Sequence, residues 1–356
     1  MKKSIITLIL AILLLIVGEL LLQVRAQIRF GHSIFKVAQG KSTYWFNPDL
    51  GIKLLCPNVT IESEKSNLKT NSLGLRCHEI SDTKADNEIR IAVVGASTIM
   101  GAYTKDNEQL LSSRLENSLQ KSFPDFKITV INAGIAGYCL QDEWLIIEKL
   151  LIPLGVDYLV VYTGFNDIGK YCRSAVEAEG NIPKPLMQVS APKWLLTVEL
   201  ITKNTVFLRD SNTRGVDMKD PGKLDTGDYS NSLRTLLKGI VDNKIPALII
   251  TNARSFRREM PLSLQLELSE TARYYLECFD INGLHDVFDS HNQIIADMAT
   301  EYGFNVIPLM DYLPGGSEYF ADATHFSVKG TETVSMLIDK KITPEIKEII
   351  LSRTNN

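Results

Sequence analysis

The chain contains no Cys-x-x-Cys pair, so neither a zinc knuckle nor a thioredoxin-type redox motif is indicated. It has no excess of positive charge: 38 Lys and Arg stand against 42 Asp and Glu, for a net charge of -4. A sequence-independent nucleic-acid binder needs a basic face, and this balance argues against one. No internal repeat or long low-complexity tract is visible, which argues against a solenoid. The dinucleotide fingerprint is missing as well. Asn132-Ala133-Gly134 follows an apolar run but lacks the first glycine of that spacing. Histidine is scarce, with five in all, so few residues can serve as a base near neutral pH.

What is present is ordinary globular composition over 356 residues, 45% of them apolar. That length suits one large domain, or one domain with a small module. The N-terminus stands apart. Met1-Lys2-Lys3 precedes an almost unbroken apolar run from Ile5 to Val24, closed by Arg25. About 20 such residues can cross a hydrocarbon core as a helix, whereas a cleaved signal usually has about 7–15. Residues 1–26 are therefore read as a transmembrane anchor or signal, with the uncleaved anchor favoured on run length. Lysines before the run favour an inside N-terminus, with everything after Arg25 outside the cytoplasm. Cleavage would instead give a secreted or periplasmic protein. Glu19 lies inside the run and is read as reaching the interface or neutral. Of the five cysteines, Cys56 and Cys77 share one segment and are the candidate disulfide; five unpaired thiols is the alternative.

Residues 27–88 read as a small accessory segment of short strands and loops. From Ile89 the pattern becomes regular. Ile89–Val94, Ile128–Ile131, Tyr158–Tyr162, Ala247–Ile250 and Val306–Leu309 read as strands. Between them, Leu110 to Leu119, Trp144 to Ile152, Leu233 to Ile240 and Val287 to Ala299 recur at helical spacing, and a last helix starts near Lys329. The alternation predicts an α/β fold. It is a three-layer α/β/α sandwich with a mostly parallel five-stranded sheet over 89–350. Residues 170–228 interrupt the rhythm with four prolines and the apolar Trp194-Leu195-Leu196. They are read as an insertion, either a substrate platform or a surface excursion.

Four short blocks sit at strand ends, where such sheets bind ligands. Ser97, after Gly95-Ala96, is the candidate nucleophile. Gly137 is the candidate backbone oxyanion donor, with Gly134 read as a tight turn. Asn166 offers a side-chain amide to an oxyanion, and Asp167 is read as holding the loop. Asp322 and His325, three apart, can form a carboxylate-oriented base. The other histidines, His32, His78, His285 and His291, are read as structural or solvated. A metal site from His285 and His291 is rejected, because six positions separate them on a helix. Arg254, Arg257 and Arg258 follow a strand and are read as a solvated loop ahead of an acidic-substrate site.

This ordered set resembles a GDSL/SGNH-type hydrolase over roughly residues 71 to 345. The resemblance implies Ser97, Asp322 and His325 as a catalytic triad, with Ser97, Gly137 and Asn166 forming the oxyanion hole. It also implies a flavodoxin-like fold and no metal or organic cofactor. Asn71-Ser72-Leu73-Gly74-Leu75-Arg76 is similar to a segment of membrane-anchored bacterial members. The family's usual aspartate is Ala96 here. The expected function is an extracytoplasmic serine esterase, its partners being a small-molecule or carbohydrate ester and the membrane. O-acetyl groups of envelope carbohydrate are one such substrate. The alternatives are an O-acyltransferase in polysaccharide modification, a lipase or phospholipase, and a non-catalytic anchored binding protein.

Overall fold

The computed structural model describes residues 2–30, 43–62, 67–178 and 218–354. The chain divides into two compact units. One comprises Met1–Ser42 and Val176–Asp217, the other Thr43–Ala175 and Met218–Asn356.

In the first unit the N-terminal run folds as α1 (Lys2–Phe30), continuous through Val24 and Arg25. Leu10, Leu13, Leu14, Leu15 and Leu21 are exposed on it. Gln23 donates to Glu19 one turn earlier. Among the described residues, no helix is long and apolar enough to cross a membrane. The patch Trp194-Leu195-Leu196 and His32 lie outside the described residues.

The second unit begins with two antiparallel pairs. β1 (Tyr44–Asn47) pairs with β2 (Ile52–Leu55), and β3 (Thr60–Glu62) with β4 (Asn67–Lys69). The regular part follows as β5 (Glu88–Gly95), α2 (Ser97–Met100), α3 (Leu111–Ser122), β6 (Lys127–Gly134), α4 (Leu140–Ile146), β7 (Tyr158–Tyr162), α5 (Phe165–Ala178), α6 (Gly227–Asp242), β8 (Ala247–Ile250), α7 (Leu262–Leu268), α8 (Glu270–Tyr275), α9 (Ile281–Glu301), β9 (Asn305–Ile307) and α10 (Val328–Thr354). The five strands pair in parallel in the order β6-β5-β7-β8-β9. Counted along the sheet this is 2-1-3-4-5, the flavodoxin-like order.

The strands are apolar on both faces because helices cover both. On β5, Ala92 and Val94 join a core with Leu140 of α4, Leu236 of α6 and Ile295 of α9. Ile89, Ile91 and Val93 join the opposite core with Leu115 of α3 and Ile338 of α10. Ile52, Leu54, Leu55 and Leu75 belong to the first of these cores, so the early hairpin shares it with the sheet. Each such side chain fully buried contributes about 1.5–3 kcal/mol relative to exposure. The helix expected over Trp144 to Ile152 starts earlier, at Leu140, and its last turn, Ile147–Leu151, widens into a π-helix ahead of Pro153.

The expected Cys56–Cys77 bridge is not formed. Cys172 on α5 and Cys278, between α8 and α9, are bonded instead, with Cα atoms 5.3 Å apart. Cys77 Sγ accepts from the Asn71 amide at 3.5 Å. Nearness in sequence therefore did not bring the two early thiols together. Lys219 N donates to Cys278 O at 2.8 Å, so both described ends of the 170–228 insertion are fastened at Cys278. The bridge spans 106 positions, and removing a native disulfide typically costs about 2–5 kcal/mol. Urea unfolding of the protein should show a loss in that range on adding a reductant. The double variant Cys172→Ser with Cys278→Ser should match the reduced protein and no longer respond to reductant.

Candidate functional site

β5 stops at Gly95, and the chain turns through Ala96 into α2, whose first residue is Ser97. Four residues are too few for a helix to hold itself, and Ala96 supplies no side-chain cap. Side chains from elsewhere take the free carbonyls. The Asn132 amide donates to Ile99 O at 2.9 Å. The buried Arg76 guanidinium donates to Met100 O at 3.3 Å, Gly101 O at 2.6 Å and Thr104 O at 3.0 Å. Arg76 is delivered by the turn that Asn71 builds, its Oδ1 accepting from Leu73 N and Leu75 N. The segment Asn71–Arg76 thus acts as a clamp on the serine helix.

Ser97 Oγ lies 2.8 Å from His325 Nε2, and His325 Nδ1 lies 2.8 Å from Asp322 Oδ2. The two carboxylate oxygens of Asp322 do different work. Oδ1 accepts from the Thr324 and His325 backbone N–H groups at 2.9 Å each, which folds the loop. Oδ2 accepts from the ring. Burial pushes the Asp322 carboxyl up, but these hydrogen bonds outweigh it and hold the group down at about 2. An ionised carboxylate only accepts, so Nδ1 carries the proton and Nε2 is left to accept from the serine hydroxyl. The Tyr103 ring packs beside His325, with centroids 5.1 Å apart. Ser255 N donates to Ala323 O at 2.9 Å, tying the histidine loop to the chain after β8.

Two further donors flank the serine. Gly137 has φ +83°, a conformation that disfavours any side chain. Its N–H has no partner among the described residues. The Asn166 amide donates to Tyr138 O at 2.8 Å, which orients it and leaves its second N–H unspent. Asp167 is buried and holds the loop, accepting from Leu140 N at 3.1 Å and Lys170 Nζ at 2.9 Å. Gly134 is no donor to the site, because its N–H goes to Asn132 Oδ1 at 3.0 Å. A Cβ there would lie 2.2 Å from Met100 N, so Gly134 lets α2 cross the end of β6.

Of the other charged candidates, Arg254 is buried, Arg257 is half-buried and Arg258 is exposed. Arg254 is 3% exposed and pairs with Asp289 at 2.8 Å. Arg257 donates to Met310 O and Leu313 O, and Arg258 pairs with Asp286 and Asp289. The expected solvated loop holds at Arg258 alone, while Arg254 and Arg257 brace the chain after β8. His285 and His291 are buried, and burial pushes both rings down to about 4. His285 contacts Gln265 at 2.8 Å and His291 contacts Tyr171 at 3.1 Å. Among the described residues no group of His, Cys, Asp and Glu could hold a metal ion. A cleft of about 20 Å³ adjoins Ser97, lined by Tyr162, Gly164, Phe165, Asn252 and Thr324. A larger cavity of about 1130 Å³ lies along α4, α5 and α6, and none of Ser97, Gly137, Asn166 or His325 lines it.

No family model and no curated protein matches the chain. Solved structures do. It is similar to a lipase/acylhydrolase from Enterococcus faecalis, with 16% identity over 72% of this chain and 96% of that one, at a TM-score of 0.42. It is also similar to the acetyl xylan esterase AlAXEase, with 15% identity over 71% and 100% of the two chains, at a TM-score of 0.43. A third is a putative lipolytic protein of the G-D-S-L family from Desulfitobacterium hafniense DCB-2, with 10% identity over 70% and 98%, at a TM-score of 0.42.

Sequence reading gave Asn132 and Arg76 no bracing role and did not single out Glu143. Glu143 on α4 is fully buried, and its carboxylate oxygens have no hydrogen-bond partner among the described residues. Burial pushes its carboxyl well above the ordinary 4.5. The folded state therefore holds this proton more tightly than the unfolded chain does. The resulting stability is complete below pH 4.5 and is lost as pH rises toward the raised folded value. Glu143→Gln should remove this loss, so its advantage over wild type in urea unfolding should grow from pH 4.5 to pH 8.

Proposed function

We propose that the chain is a serine ester hydrolase of the GDSL/SGNH type. The observation that carries this is the continuous relay Ser97 Oγ, His325 Nε2, His325 Nδ1, Asp322 Oδ2, with both contacts at 2.8 Å. Ser97 Oγ attacks the ester carbonyl carbon while His325 Nε2 takes the hydroxyl proton. The carbonyl oxygen becomes an oxyanion, met by the Ser97 and Gly137 N–H groups and the spare Asn166 N–H. His325 then returns its proton to the leaving alcohol as the C–O bond breaks, and an acyl-serine remains. Water attacks this ester with His325 again as base, releasing the acid and restoring Ser97. This chemistry needs no metal or organic cofactor.

The cleft of about 20 Å³ beside Ser97 supports a short acyl group, since that volume suits about one water-sized group. An acetyl ester fits this description, and O-acetyl groups on envelope carbohydrate are the substrate class we favour. Our reading puts the catalytic unit outside the cytoplasm, and its support is twofold. The Cys172–Cys278 disulfide belongs in an oxidising compartment. The apolar run from Ile5 to Val24 behind two lysines has the length and charge bias of an anchor.

A fluorophosphonate probe should label the wild-type protein, and Ser97→Ala and His325→Ala should abolish labelling while leaving the circular dichroism spectrum intact. Asp322→Asn should lower kcat on an acetyl ester by about 10⁴-fold, since it mis-sets the imidazole tautomer. A folded wild type that does not label would reject the reading. In cell fractionation, full-length protein should stay with membranes after a high-salt wash, and a chain starting at residue 27 should not. Release of the full-length protein by salt would reject the anchor.

A further inference from the structure

Lys53 takes no part in the relay, yet its side chain reaches from β2 to the loop that carries Gly137. Its Nζ donates to Ala136 O at 2.8 Å. A Cβ on Gly137 would lie 3.5 Å from the same ammonium. The ammonium also sits 5.2 Å from the Tyr44 ring centroid and 5.8 Å from that of Tyr138. Tyr138 Oη donates back to Lys53 O, and Tyr44 Oη lies 3.6 Å from Met100 Sδ on the serine helix. A lysine on an exposed strand position normally keeps its rotamer freedom, which is costly to lose. Here two aromatic faces and a carbonyl give it one place to sit.

The bonded carbonyl is informative. Ala136 C=O and Gly137 N–H belong to the same peptide unit, and that unit is trans. Its carbonyl and amide therefore point in opposite directions. Fastening the carbonyl to Lys53 sends the Gly137 N–H away from the hairpin. A charged donor on the carbonyl also draws electron density from the amide, which strengthens its N–H as a donor.

We infer that Lys53 is a positioning residue for the oxyanion site: it fixes and polarises the Ala136–Gly137 peptide, so that the hairpin β1–β2 is part of the catalytic apparatus. This rests on the ester-hydrolase reading, with Gly137 as an oxyanion donor. A purely structural lysine would affect folding alone. A lysine that gripped substrate would affect KM. A lysine that aims an oxyanion donor affects kcat, because the oxyanion exists only after attack has begun.

The test compares the full-length wild type with Lys53→Met, Lys53→Arg and Ser97→Ala, using p-nitrophenyl acetate turnover and the rate of fluorophosphonate labelling. Removing an oxyanion donor outright costs about 10²–10³-fold in kcat, so loosening one is expected to cost about tenfold. Lys53→Met should show that loss in kcat and in labelling rate, with KM within about twofold, and Lys53→Arg should recover most of it. Lys53→Gln replaces Lys53→Met if the latter does not fold. Wild-type kcat in the neutral variant, a loss carried by KM alone, or an equal loss in Lys53→Arg would each overturn the inference while leaving the hydrolase reading in place. A wild type as inert as Ser97→Ala toward both reagents would overturn the hydrolase reading and the inference together.

Discussion

Ser97 begins a helix only four residues long, and so short a helix depends on contacts from outside it. Everything around it answers that constraint. Asn132, buried on the neighbouring strand, takes the carbonyl of Ile99. Arg76 takes those of Met100 and Gly101. A buried guanidinium is expensive to desolvate, and burial lowers Arg76 to about 10. Charge-assisted bonds to several carbonyls offset that cost. The same guanidinium reaches Thr104 O and, through Nε, Asn107 Oδ1. It therefore ties the serine helix to the chain leading into α3. The early segment is thus a brace whose absence would leave Ser97 free to drift from His325.

Sheet order supplies the second half of the arrangement. β5 lies between β6 and β7, so the serine turn emerges between the loop bearing Gly137 and the first turn of α5, which bears Asn166. Parallel pairing brings Gly95 level with Gly134 and Tyr162, which sets the three loops at one height. No single loop could place two donors on either side of Ser97. Three adjacent parallel strands do so by topology alone. His325 arrives separately, from beyond β9, and its loop is tethered through Ala323 to the chain after β8. Its orientation is local, set by one aspartate whose two oxygens serve the loop and the ring.

What could be read from the sequence follows this division. Tyr158–Tyr162 and Ala247–Ile250 have the predicted bounds, because a buried parallel strand is an unbroken apolar run bounded by turns. Asp322-x-x-His325 was legible because three positions is the reach of a carboxylate across one turn. Long-range contacts leave no such local mark. Asn132 stood at the head of the Asn132-Ala133-Gly134 turn and Arg76 at the end of the Asn71–Arg76 segment, and neither position marks a reach to the serine helix. Arg254 looked solvated, yet it is buried against Asp289, which lies on α9. The Cys172–Cys278 bridge defeated a rule of nearness, because the fold brings together residues 106 positions apart.

Ala96 shows why a residue with no capping side chain is compatible with the contact between Ser97 and His325. The residue before Ser97 has no side chain that can cap α2, and the only anchorage it offers is its own carbonyl, which accepts from Met100 N at 3.0 Å. If local capping were what held the serine, this position would be the weak point of the site. The helix is gripped instead from its C-terminal side, by a guanidinium and an amide that come from other parts of the chain. Those bonds do not pass through residue 96. Ser97 Oγ can therefore stand 2.8 Å from His325 Nε2 with a methyl group beside it.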